Sequence, residues 1–308
     1  MERSCIVLTL AVGVAVAPLG RPGSEGCPTN WDLRGRVERA VAQIRAGDLS
    51  KGAALRQMGE EAIPILAEHA QDQDPNVRLS ITMAVAENLD ERAIPILVQG
   101  LLDAHSDVRR TAMDNLFRYP RELLRDRLSH EMLDILTGHA GSWEESSYKA
   151  VLLIGDLRGA SKMSSLRSIL REAKRVHGRW DIQTLLGPTT SNACLKALFK
   201  LGDEEAARAV LASLNQRDVS SVVFGIEALG YARKTEYLKE LLPFMHDTRD
   251  AVPIGADVNR YLKIRDIAVN AAAEILGTSF PFRLRKLSSY TDQEVAEVKR
   301  LIAGDVTD

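Results

Sequence analysis

The chain has 308 residues, 45% hydrophobic and 27% charged, with 40 basic against 42 acidic residues. That much apolar surface excludes wholesale disorder, and a formal net charge of −2 gives no global field toward phosphate backbones or anionic lipid. Aromatics are only 5%; Leu, Ala, Glu, Arg and Lys dominate, and because they lose little rotamer freedom in a helix, an all-α fold is expected.

The N-terminus differs from everything after it. Arg3 stands in a short polar start, Ile6 to Ala17 reads IVLTLAVGVAVA, and Pro18 ends the run. This run is too short to cross a hydrocarbon core, which needs roughly 20 helical residues, and it resembles the apolar region of a secretory signal peptide. Residues 1–26 are therefore expected to be removed on export. Residues 27–308 would remain as a single domain without a membrane span, periplasmic or extracellular. If Cys5 leaves with the signal, Cys27 and Cys194 remain in an oxidising compartment, either as a disulfide or as separate thiols.

Next in the chain comes a repeat. Ala62-Ile63-Pro64-Ile65-Leu66 recurs 31 residues later as Ala93-Ile94-Pro95-Ile96-Leu97, and the same offset carries Asn76-Val77-Arg78 onto Asp107-Val108-Arg109. Val77, Ile81 and Val85 share one helical face, and the offset maps them onto Val108, Ala112 and Leu116. Ile94, Leu97, Val98 and Leu101 make the apolar stripe of a second helix. Pro64 and Pro95 fall in a first turn, where a missing N–H costs little. Asp74 before Pro75 and Asp107 before Val108 are placed to accept from free N–H groups at the next helix starts. Arg78 and Arg109 recur by the same rule, so each is expected to bond carbonyls or an acid of the neighbouring unit.

These units resemble the HEAT-repeat family, in particular bacterial HEAT-like units with a D-P-x-V-R start and A-I-P-x-L opening the second helix. The match is closest from Lys51 to Phe117 and drifts beyond. The resemblance implies an α-solenoid, a right-handed superhelix of about six to seven helical hairpins. It also implies that second helices line the concave side, which makes Glu68, His69 and Gln99 partner-facing positions.

Two stretches break the rhythm and are expected to be insertions, which in repeat proteins often map to the binding side. Residues 171–190 carry the basic run Lys174 to Arg179 with Trp180, so His177, Arg179 and Trp180 join the partner-facing set. Residues 246–259 read as a polar, proline-bearing loop. Leu201-Gly202 and Leu229-Gly230 read as helix ends. Thr291-Asp292-Gln293-Glu294 is a capping box that opens a terminal capping helix over 291–303.

No motif in the chain carries recognisable chemistry. His130 and Asp134 imitate part of a zinc-protease helix but have no further ligand at suitable spacing. The expected function is non-enzymatic binding of a protein or peptide by an exported monomeric scaffold, with no cofactor or metal and no nucleic acid partner. Two rival readings remain. One is an enzyme with its centre in 171–190 or 246–259, drawing on His177, Trp180, Asp247 and Asp257; the other is a HEAT-like nucleic-acid binder using clusters such as Arg283 to Lys286.

Overall fold

The computed structural model describes residues 30–304 apart from 128, 143, 145, 178–188, 255–256, 278–279 and 286–287. The chain opens with helices α1 (Asn30–Arg45), α2 (Lys51–Arg56), α3 (Ile63–Glu68), α4 (Pro75–Val85) and α5 (Ile94–Gly100). It continues through α6 (Ser106–Leu116), α7 (Arg121–Asp126), α8 (His130–Ala140), α9 (Ser147–Asp156) and α10 (Met163–His177). Then follow α11 (Thr190–Leu201), α12 (Glu204–Leu214), α13 (Val219–Ala232), a 3₁₀ segment (Thr235–His246), strands β1 (Asp250–Ile254) and β2 (Asp257–Lys263), α14 (Ile264–Leu276) and α15 (Asp292–Ala303).

The helices form an all-α repeat stack. Among the described residues, α2, α4, α6, α9, α11, α13 and α14 touch in that order and make one row. The second helices of the units, α3, α5, α8, α10, α12, the 3₁₀ segment and α15, pack against this row, with α1 joining them at the first end. The apolar stripes explain why: Val77, Ile81, Val85, Val108, Ala112 and Leu116 are all at most 1% exposed. Neither helix of a hairpin covers its own apolar face, so each unit is stable only against the next.

The 31-residue repeat has a matching geometry. Short 3₁₀ turns at Glu60–Ala62 and Glu91–Ala93 lead into α3 and α5, with Pro64 and Pro95 in their first turns. Asp74 caps α4 by accepting from the Asn76 N–H at 2.8 Å. Asp107 does not cap α6: it lies one residue inside the helix and pairs with Arg110 at 2.8 Å. At the far end Thr291 and Glu294 form the expected capping box of α15.

Arg78 and Arg109 stitch neighbouring units. Arg78 donates to both oxygens of Asp103 at 2.6 and 2.9 Å and to the carbonyls of Asp72 and Gln73. Burial pushes the Asp103 carboxyl up, but Arg78 and the His105 N–H outweigh it and hold the group below its ordinary value. Arg109 repeats the pattern, donating to Glu144 at 2.6 Å and to the carbonyls of Asp103 and Ala104. Arg109→Ala would free two loop carbonyls and leave a partly buried Glu144 without its cation. A loss of about 2 kcal/mol is expected, read as a lowered melting temperature; an unchanged melt would remove the arginine from the stabilising set.

Three expectations need correction. The 246–259 stretch is not a plain loop: it ends the 3₁₀ segment and enters an antiparallel pair with register shifts, Val252 standing opposite Leu262 and Pro253 opposite Tyr261. β-branched and aromatic residues on both sides of Gly255 favour strands, and the pair has helices to pack against. The 171–190 insertion is narrower than expected, because 171–177 continues α10 and Thr189 caps α11 through the Asn192 N–H. Gly230 does not end α13. The helix runs on to Ala232 and closes at Arg233, whose φ is +55°, while Gly202 does end α11 with φ of +94°.

Candidate functional site

The strand pair determines where the site lies. β1 touches α13 and β2 touches α14, so the segment between the 3₁₀ element and α14 folds back over the row of first helices. Beneath it is an open cleft of about 400 Å³ lined by Lys196, Glu227, Gly230, Tyr231, Val252, Leu262, Ile267, Asn270, Ala271 and Glu274. Helical periodicity puts these residues on shared faces: Glu227, Gly230 and Tyr231 on α13, and Ile267, Asn270, Ala271 and Glu274 on α14.

The floor exists because α13 and α14 approach closely at Gly230. A Cβ there would meet the Ala271 Cα at 2.9 Å and the Ala271 Cβ at 3.0 Å. Two small residues at the crossing leave a depression, which Ile267, Val252 and Leu262 wall with hydrocarbon. The rim is charged. Lys196 bonds Glu227 at 2.7 Å and lies 5.7 Å from the centre of the Phe224 ring, and Glu274 Oε2 would lie 3.3 Å from a Cβ on Gly230.

Along the same row, lysines meet carboxylates from neighbouring helices. Lys149 on α9 bonds Asp114 on α6 at 2.6 Å, and Lys200 on α11 bonds Asp156 on α9 at 2.7 Å. Lys200 also sits over the Tyr231 ring at 4.1 Å. Burial, then the Asp156 charge, pushes the Tyr231 hydroxyl far above its ordinary value, so it is a donor and never a base; its bond goes to the Leu152 carbonyl at 2.6 Å. These alternating pairs break up any basic stripe along this face.

Among the described residues, the positions singled out in the sequence do not line this cleft. Glu68 is exposed and accepts two bonds from Arg34 at 2.6 and 2.7 Å, while His69 Nε2 lies 3.1 Å from Glu38. Gln99 lines a separate cavity of about 310 Å³ between units, with Arg78, Thr82 and Asp103. Arg179, Trp180, Cys27, and the side chains of His177 and Asp257 lie outside the described residues. Asp247 is held by Arg249 at 2.7 Å. Arg285 pairs with Glu294 and covers the Tyr290 ring, and Lys286 lies outside the described residues. His130 is exposed, and Asp134 is paired with Lys162. Cys194 is a free, fully buried thiol, and burial pushes it up to about 12.

One buried titratable group stands apart. His139 on α8 is 5% exposed, its Nε2 is 3.0 Å from Ser146 Oγ, and its Nδ1 has no partner among the described residues. Burial lowers it below the ordinary 6.5, with Glu144 and Asp114 acting upward and Arg109 downward. The unfolded chain takes the proton first as pH falls, so the stability this site contributes is present above about pH 6.5 and lost below it. Wild-type protein should lose more stability than His139→Gln between about pH 7 and about pH 5, measured by urea unfolding. Equal losses would exonerate the imidazole.

The cleft residues were missed because their signal was masked by polar flanks. Val252-Pro253-Ile254, Gly255, then Val258, Tyr261 and Leu262 carries a strand-turn-strand pattern. Asp247, Arg249, Asp250 and Asp257 around it make the stretch read as a loop.

A two-row stack of helical hairpins with a strand pair folded over one row defines an α-helical repeat protein. Residues 29–116 match the family model for HEAT repeats. No curated protein sequence matches it. Among solved structures, the complex of CpcE and CpcF of phycocyanin lyase from Nostoc sp. PCC7120 aligns over 94% of this chain and 100% of its own, at 15% identity and a TM-score of 0.46. Human deoxyhypusine hydroxylase in complex with glycerol aligns over 88% and 96%, at 16% identity and a TM-score of 0.31. Among the described residues, no helix is long and apolar enough to cross a membrane.

Proposed function

We propose that this chain is a non-enzymatic scaffold that holds a protein or peptide segment outside the cytoplasm. One observation carries the reading: the break in the repeat folds over α13 and α14 and walls an apolar cleft with a charged rim. Apolar concavities with a few polar groups are where ligands collect. The titratable groups around the cleft are spent on each other, as in Lys196 with Glu227, which favours binding over proton transfer. The lysine–carboxylate alternation along the row weighs against a nucleic acid partner.

Export rests on the apolar run from Ile6 to Ala17. N-terminal sequencing of the protein from its host should find a start after residue 17, and a chain that retains residues 1–17 would overturn that part. Binding is tested by placing a photo-crosslinking amino acid at Tyr261, exposed on β2, and separately at Leu49, exposed at the other end of the stack. A discrete adduct from position 261 and none from position 49 is expected. Equal adducts, or none from 261, would overturn the cleft as the binding region.

A further inference from the structure

We infer that an extended segment of a partner polypeptide adds as a third strand along the outer edge of β2, held through the backbone of Tyr261. The inference rests on the scaffold reading and adds the form in which the bound segment is held. The sheet has two strands in the order β1–β2, so each keeps one edge that the other does not pair. Along an antiparallel strand the N–H and C=O groups of successive residues point to opposite edges. Observed bonds fix which residues of β2 point outward. The Ile264 N–H bonds inward, to the carbonyl of Arg249 just ahead of β1, at 3.1 Å. The Lys263 N–H turns the other way and donates to the Asp266 carboxylate at 2.8 Å. Alternation then sends the groups of Leu262 inward and those of Tyr261 outward. Pro253 agrees, because it stands opposite Tyr261 and has no N–H to exchange with it.

The two edges are unequal. On β1 the position that matches Tyr261 is Pro253, which offers a carbonyl and no donor, and a proline on an edge strand blocks further pairing. Tyr261 carries both groups, β2 holds no proline from Asp257 to Lys263, and Tyr261 is 37% exposed. A donor and an acceptor aimed outward from one extended residue are matched in spacing and direction by the backbone of another extended chain. Side chains of the added segment would alternate between the face of Leu262, which lines the cleft, and the exposed face of Tyr261. A second copy of this chain fits the edge less well. The pair has register shifts on both sides of Val252 and Pro253, and such bulges bend an edge and oppose the flat pairing of two rigid strands. A flexible segment follows the bend.

The test uses the folded chain and a nonapeptide selected on it from a random phage-displayed library, with amide hydrogen exchange followed by NMR. In the free protein the Tyr261 amide should exchange faster than that of Leu262, and saturation with the peptide should slow Tyr261 about 10-fold or more. Methylating the peptide nitrogen that pairs with Tyr261 should weaken binding about 10-fold, and methylating either neighbouring nitrogen should not. A Tyr261 amide as protected as Leu262 in the free monomer would show the edge to be covered already. One that stays unprotected with the peptide bound would place the peptide elsewhere. Either result overturns strand addition and leaves the scaffold reading standing. Light scattering that finds a dimer with a protected Tyr261 amide would assign the edge to a second copy and overturn the inference. No retained peptide would overturn both readings.

Discussion

Asp156→Ala is expected to cost about 3 kcal/mol of stability, because a single carboxylate at the end of α9 serves two cations from two other helices. Its Oδ2 accepts from Arg121 at 2.7 Å and its Oδ1 from Lys200 at 2.7 Å, and the residue is only 8% exposed. Arg121 reaches it from α7 while donating to the carbonyls of Phe117 and Tyr119, and Arg125 donates to the Asp156 carbonyl. Removing the carboxylate strands two positive charges in a partly desolvated place, and they then repel each other. Urea unfolding of the single variant, and of Asp156→Ala with Lys200→Met, separates the causes. The second change should restore about 1 kcal/mol by removing one orphaned cation. A single variant with an unchanged midpoint would show that the network carries no stability.

Gly155→Ala, one residue earlier, should be destabilising even though alanine is the better helix former by about 1 kcal/mol. A Cβ at 155 would lie 2.6 Å from the Tyr231 hydroxyl and 3.0 Å from the Ala197 Cα, the latter backbone that cannot swing aside. The phenol would have to move and give up its bond to the Leu152 carbonyl. Overpacking costs about 1–3 kcal/mol and a buried hydroxyl without its acceptor about 1–3 kcal/mol. Together they outweigh the propensity gain and leave a net loss of about 1–5 kcal/mol. In a Tyr231→Phe background the oxygen is absent, so the same glycine substitution should cost about 1 kcal/mol less. Identical costs in both backgrounds would place the whole strain on Ala197.

The two predictions show which parts of the structure the sequence disclosed. Periodicity located the helices from Pro75 to Leu116 because a buried stripe must recur every three or four residues, and those stripes are buried. Arg78 and Arg109 were recognised as a pair because their positions recur. Asp156, Lys200 and Tyr231 leave no such trace. They are 44 and 75 residues from Asp156 in the chain and meet only because α9, α11 and α13 stack in one row.

The cleft was hidden for a related reason. Gly230 follows a leucine near the end of an apolar run, where a glycine reads as a helix terminator, yet it serves as a contact surface for α14. Glu68, His69 and Gln99 were chosen from the orientation of second helices, which says nothing of what stands opposite. Glu68 and His69 turned out to be tied to Arg34 and Glu38 of α1.

By itself, then, the sequence determined the all-α repeat, its 31-residue period, the helix starts at Pro64, Pro75 and Pro95, and the capped last helix, because each is set by residues within one or two turns of one another. Only the tertiary structure decided that the 246–259 break becomes a strand pair and that its wall, the Gly230–Ala271 crossing and the Glu227–Glu274 rim form one cleft. Those groups lie on two helices and a hairpin, and stacking, not chain spacing, brings them together.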